Sequence, residues 1–118
     1  MKTLSINFLE TLFNAQKETA LSGKWITYKN IEPLFSKYKT AFKVSQIGTS
    51  EENRPIFQFK IGTGKKKILI WSQMHGNEST GTKAVFDLFN CLTNSSENEF
   101  TTILKECTLV FIPMLNPD

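Results

Sequence analysis

At 118 residues the chain has room for a single hydrophobic core and is short for a complete α/β hydrolase. Its 40% hydrophobic and 21% charged residues and its formal net charge of +3 suit a soluble globular domain and exclude a disordered tail or a membrane bundle. The charge is uneven: Lys24 to Lys67 is rich in lysine against only Glu32, Glu51 and Glu52, whereas acids outnumber bases from Ile68 onward. These lysines alternate with apolar residues, which reads as a solvated face, and no aromatic-basic motif of a nucleic-acid fold accompanies them. Neither nucleic acid nor a membrane is expected as a partner.

In chain order, Phe8, Leu9, Leu12 and Phe13 recur at helical spacing, predicting a helix from Leu4 to about Lys17 that packs on a sheet. Asn7, Glu10 and Asn14 interrupt any signal-peptide core there, and no apolar run is long enough to span a membrane, so a cytoplasmic protein is expected. Ser22 and Gly23 end the helix. A second short helix follows, capped by Asn30, with Pro33 in its first turn and Leu34, Phe35 and Tyr38 on its buried side. Phe42 and Val44, then Phe57, Phe59 and Ile61, alternate with polar residues around GTSEENRP, the pattern of an antiparallel hairpin. GTGKKK at 62–67 fails as a phosphate loop, because Lys65 is followed by Lys66 and the segment opens a strand; it reads as a basic turn.

The stretch 67–90, KILIWSQMHGNESTGTKAVFDLFN, holds the only histidine. Ile68 to Trp71 form an apolar run of the kind a strand buried on both faces requires, His75 to Ser79 form a polar loop, and Ala84, Val85, Leu88, Phe89 and Leu92 restore a helical period. After a polar break at TNSSEN, Phe100, Ile103 and Leu104 predict further helical turns, and TLVFI at 108–112 a second buried strand. Strand, helix, helix, strand is a crossover, so the two apolar runs should be parallel. Loops leaving the carboxyl ends of such strands are where open α/β sheets bind ligands. His75 and Glu78 lie in one of them, and His nitrogen with carboxylate oxygen is a zinc donor set. Gly76 and Asn77 are the residues expected to bend the turn, and Ser79 or Thr80 to cap the helix. The same residues also fit a plain capped turn with an incidental histidine and glutamate. Ser72 and Ser79 lack GxSxG flanks, HExxH is absent, and Cys91 and Cys107, without CxxC spacing, read as buried thiols in a reducing compartment.

MHGNESTG, the helix after it and the strand ending in IPMLNPD together resemble the zinc metallocarboxypeptidases, peptidase family M14. IGTSEENRPIFQFKIG, with Arg54 and Pro55, resembles the hairpin that precedes their zinc loop. The resemblance covers about residues 41–118, and residues 1–40 match nothing specific. It implies an incomplete carboxypeptidase-like α/β fold with a mixed, partly parallel sheet and helices on its faces. Residues 1–40 would be a helical lead-in and 41–118 the sheet and zinc loop, together the N-terminal part of one catalytic domain. It implies that His75 and Glu78 are two of three protein ligands to Zn2+, which activates a water to hydrolyse C-terminal peptide bonds, and that Asn116, Pro117 and Asp118 form a structural turn. The family's third ligand, general base and carboxylate-binding arginines follow that turn, so no catalytic residue is expected within these 118 residues and the chain alone is expected to be inactive. Zinc deacylases of N-acyl amino acids carry similar HGNE loops, leaving peptide and small acyl-amino-acid substrates both open. A non-catalytic binding module is a third reading. An incomplete sheet would leave an apolar edge and favour self-association.

Overall fold

The structure, a computed structural model, describes residues 5–118. Alternating apolar residues produce β1 (Lys43–Thr49) and β2 (Pro55–Ile61), and continuous apolar runs produce β3 (Lys66–Trp71) and β4 (Cys107–Ile112), joined in one sheet in the order β1-β2-β4-β3. β1 with β2 and β2 with β4 are antiparallel, whereas β3 and β4 are parallel. The parallel pair is closed by α4 (Thr80–Asn94) and α5 (Asn98–Glu106), the connection that two neighbouring parallel strands require. The expected hairpin, crossover and mixed α/β sheet are all present.

The N-terminal helix is α1 (Ile6–Gln16), begun by Ser5, whose Oγ accepts from the Phe8 N–H at 3.2 Å. Leu4, the expected start, lies outside the described residues. α1 packs against α4 instead of the sheet and has no fully buried residue. The sheet face is already covered by α4 and by the segment α2 (Tyr28–Ile31), a 3-10 turn (Glu32–Leu34) and α3 (Phe35–Tyr38). Asn30 is the third residue of α2 and not its cap; its Oδ1 accepts from the Thr27 N–H at 2.7 Å, one half of a capping box.

The core is aromatic. Phe59 on β2 and Phe111 on β4 sit opposite each other in register, and Phe89 of α4 stands over both, with ring centroids 5.2 and 5.0 Å away. Phe42, Phe86 and Tyr38 close the cluster at 4.4 to 5.2 Å from Phe89. Edge-to-face and tilted ring pairs of this kind add to the burial of large apolar surfaces.

β4 is central and buried, but β3 departs from the sequence reading: it is an edge strand, with Leu69 and Trp71 half exposed. Its apolar run met the requirement for burial on both faces, yet among the described residues β4 is the only strand beside it. The glycines of GTGKKK are there for close approach. A Cβ on Gly64 would fall 1.8 Å from the Glu106 carbonyl carbon, and Gly62 adopts φ +91° where a Cβ would meet the Cys107 carbonyl oxygen. The loop is stitched to the end of α5 by the Thr63 N–H donating to Leu104 O at 2.9 Å and to β4 by Thr108 Oγ1 donating to Gly64 O at 2.7 Å.

Candidate metal centre

The parallel strands β3 and β4 end side by side, and the loops 72–79 and 113–118 leave from their carboxyl ends. Backbone pairing continues past the strand ends. The Ser72 N–H donates to Ile112 O at 3.1 Å, the Leu115 N–H to Ser72 O at 3.0 Å, and the Asn116 N–H to Gln73 O at 3.0 Å. The two loops therefore start as one paired ribbon.

Gln73 is the buried hub of the first loop. At φ 49° it turns the chain out of the strand, and its Nε2 donates to Ile26 O at 2.8 Å and Gly76 O at 2.7 Å. Its Oε1 accepts from Thr82 Oγ1 of α4 at 2.6 Å, while Ser72 Oγ donates to Pro113 O at 2.5 Å. The unusual backbone angle expected at Gly76 or Asn77 falls instead on Gln73; neither of those two residues has a positive φ. Ser79 starts α4, but its side chain makes no cap; it is buried and donates to Lys24 O at 2.5 Å.

His75 and Glu78 occupy one turn on this platform, closed by the Glu78 N–H donating to His75 O at 3.0 Å. Both are exposed. Their types, an imidazole and a carboxylate, are right for zinc. Their number is short: among the described residues no group of three or more His, Cys, Asp or Glu side chains gathers to hold a metal. A cleft of about 680 Å³ lies on the Glu78 side of the turn, bounded by Ser72, Thr80, Lys24 and Lys83.

The second loop is fixed by the hairpin. Asp118 accepts from Ser50 Oγ at 2.6 Å, Arg54 Nη1 at 2.7 Å and the Glu52 N–H at 3.0 Å. The Ser50 hydroxyl bond, then the Glu52 amide and Arg54, hold its carboxyl below the usual aspartate range. Arg54 also pairs with Glu52 at 2.5 Å. The backbone of Asn116 to Asp118 passes beside Gly76, where a Cβ would lie 3.6 Å from Asn116 O. Hairpin tip, 113–118 loop and the turn of His75 and Glu78 thus lean on one another in that order. The role of Arg54 as the clasp was not legible, because its partner is 64 residues away; Gln73 gave no signal either, since glutamine has no special liking for a left-handed backbone.

Cys91 in α4 and Cys107 at the start of β4 are free and only half-buried, so the expected full burial is not met. Burial still pushes the Cys91 thiol up, away from thiolate character. No helix among the described residues is long and apolar enough to cross a membrane.

The peptidase M14 family model, described as zinc carboxypeptidase, matches residues 27–118. The likeness therefore begins well upstream of residue 41 and takes in α2, α3 and the residues that carry the aromatic core. Among curated proteins, carboxypeptidase D of Anas platyrhynchos is 26% identical over 95% of this chain and 9% of its own length. Gamma-D-glutamyl-L-diamino acid endopeptidase 1 of Lysinibacillus sphaericus is 30% identical over 70% of this chain and 23% of its own. Among solved structures, a metallo-carboxypeptidase from Burkholderia cenocepacia superposes with TM-score 0.72 at 20% identity, over 80% of this chain and 28% of that one. The chain thus spans less than a third of the proteins it resembles.

Proposed function

Because the chain belongs to the zinc carboxypeptidase family, we propose that His75 and Glu78 supply an imidazole nitrogen and a carboxylate to a hydrolytic zinc site in a peptidase acting at C-terminal peptide bonds. The observation that supports this most is their placement in one turn at the carboxyl end of a parallel strand pair, on a loop pinned by the buried Gln73. Bound there, zinc would polarise a scissile carbonyl and lower the pKa of a water. The chain's own contribution is orientation: Gln73 and Thr82 fix the turn to α4, and Arg54 with Ser50 fixes the 113–118 loop beside it. Pre-organising donors in this way spares the entropy of ordering them at the moment of binding.

Among the described residues no third His, Cys, Asp or Glu side chain gathers with His75 and Glu78. The 118-residue chain is accordingly expected to be catalytically silent alone, the N-terminal part of one domain with residues 1–40 as lead-in and 41–118 as sheet and metal loop. The free thiols support a reducing, cytoplasmic setting.

The test uses the native product from its source, assayed with N-blocked dipeptides, longer peptides and N-acyl amino acids, with and without a zinc chelator. Release of C-terminal residues that is lost on chelation and in His75→Ala and Glu78→Ala supports the reading. Turnover of acyl amino acids alone would replace it with a deacylase, and cleavage restricted to internal bonds with an endopeptidase. Hydrolysis by the pure 118-residue chain would refute its proposed silence.

A further inference from the structure

The loop that carries His75 and Glu78 is braced by a stretch of chain upstream of residue 27, where the match to the family model begins. Three carbonyls of that stretch each take a donor from the loop or from the first turn of α4. Gln73 Nε2 donates to Ile26 O at 2.8 Å, Ser79 Oγ to Lys24 O at 2.5 Å and Lys83 Nζ to Gly23 O at 2.9 Å. Gln73 and Ser79 are buried and stand at the two ends of the turn, two residues before His75 and one after Glu78. Their acceptors lie two residues apart, a length of chain that spans at most about 7 Å. A short piece of backbone elsewhere in the chain therefore sets how far apart the two ends of the turn stand.

A brace works only if it is itself fixed. Leu21 and Ile26 are 6% and 3% exposed and belong to the core cluster, so the exposed residues 22–25 are pinned at both ends. Further upstream, Asn90 Nδ2 of α4 donates to Gln16 O at 2.8 Å. The Glu18 N–H donates to Asp87 Oδ1 at 2.6 Å, and its carboxylate accepts from Lys37 Nζ at 2.5 Å and Tyr38 Oη at 2.7 Å. A buried polar network with its members satisfied rigidifies the chain that carries it. Ser79 also forgoes the usual use of a serine that opens a helix. Its hydroxyl makes no cap to α4 and reaches Lys24 instead, exchanging a local bond for a long-range one.

We infer that residues 16–26 form a strap that positions the turn of His75 and Glu78, and that Ser79 is the positioning residue through which the strap reaches Glu78. Its consequence for metal rests on the zinc reading above. Ligands already fixed in orientation bind without first being ordered, and groups that hold ligands from behind contribute about 10- to 100-fold of metal affinity. The order of the turn itself depends on neither zinc nor catalysis.

The experiment measures NMR order parameters of the backbone amides at residues 74–79 in the metal-free chain, and then the zinc dissociation constant of the same samples by competition with a chelating dye. The parent turn should be rigid, with order parameters of about 0.85. Ser79→Ala should lower them toward about 0.6 and raise the zinc dissociation constant about tenfold. Glu18→Ala, which alters the anchor of the strap and not the turn, should act in the same direction. Where that variant does not fold, Lys83→Met, which removes the half-buried grip on Gly23 O, takes its place. Gly64→Ala, which strains the sheet at the end away from the turn, is the destabilised control and should change neither quantity while the circular dichroism spectrum stays that of the folded chain. Order parameters indifferent to Ser79→Ala, or lowered equally by Gly64→Ala, would overturn the strap. Lowered order parameters in a chain that binds no zinc would uphold the strap and refute the zinc reading, so the two fail separately.

Discussion

Gln73 is the residue on which the turn of His75 and Glu78 depends most. Replacing it with alanine leaves the Ile26 and Gly76 carbonyls without a donor, while the Thr82 hydroxyl keeps Pro113 O as an acceptor at 2.8 Å. Each unmet buried group costs about 1–3 kcal/mol, so Gln73→Ala should lower stability by at least about 2 kcal/mol, read as a shift in the urea midpoint at constant slope. A shift no larger than that of a surface substitution would show that the turn does not rely on it. His75 and Glu78, the proposed donors, stand out in the sequence because donor type, spacing and position after an apolar strand coincide in them. Gln73 does not, because its importance lies in contacts to residues 47 and nine positions away and in a backbone angle that its side chain does not announce. The bend was instead expected at Gly76 and Asn77, where the residue types permit it but the geometry does not use it.

At the scale of elements, the loop between β2 and β3 offers a clean contrast. Gly64 lies against the Glu106–Cys107 backbone, while nothing stands within 4 Å of a Cβ on Gly48. Gly64→Ala must therefore push the loop off the start of β4, and thermal unfolding should fall clearly; Gly48→Ala should leave it nearly unchanged. Equal effects would mean that the loop yields without cost. Strand and helix types were readable from period-2 and period-3.6 patterns, which depend only on local chain geometry. What each element packs against was less so. The Phe8, Leu9, Leu12, Phe13 stripe looks the same whether a helix lies on a sheet or, as α1 does, on another helix. The apolar run of β3 likewise cannot announce whether a neighbour exists on its far side.

Across the whole molecule, one buried carboxylate ties the N-terminal segment to the rest. Glu18 accepts from Lys37 Nζ at 2.5 Å and from Tyr38 Oη at 2.7 Å, and its own N–H donates to Asp87 Oδ1 at 2.6 Å. Burial alone would raise its pKa, but the bonds from Lys37, Tyr38 and the Ala20 amide outweigh burial and leave it lowered. A carboxyl lowered in the folded state contributes stability in full above its unfolded value of about 4.3, and that contribution is lost as pH falls through the folded-state pKa. Urea midpoints measured from neutral to acid pH should accordingly fall less steeply for Glu18→Gln than for the parent chain, although the variant is weaker at pH 7. Parallel curves would assign the acid sensitivity elsewhere. The proposed offer of one imidazole and one carboxylate to zinc is read directly by X-ray absorption at the zinc edge of the zinc-loaded chain. The expected spectrum shows nitrogen and oxygen neighbours at about 2.0–2.2 Å with no sulfur, and loses the imidazole signal in His75→Ala. Sulfur at about 2.3 Å, or a spectrum unchanged by His75→Ala, would place the metal on the cysteines or on no defined site and contradict it.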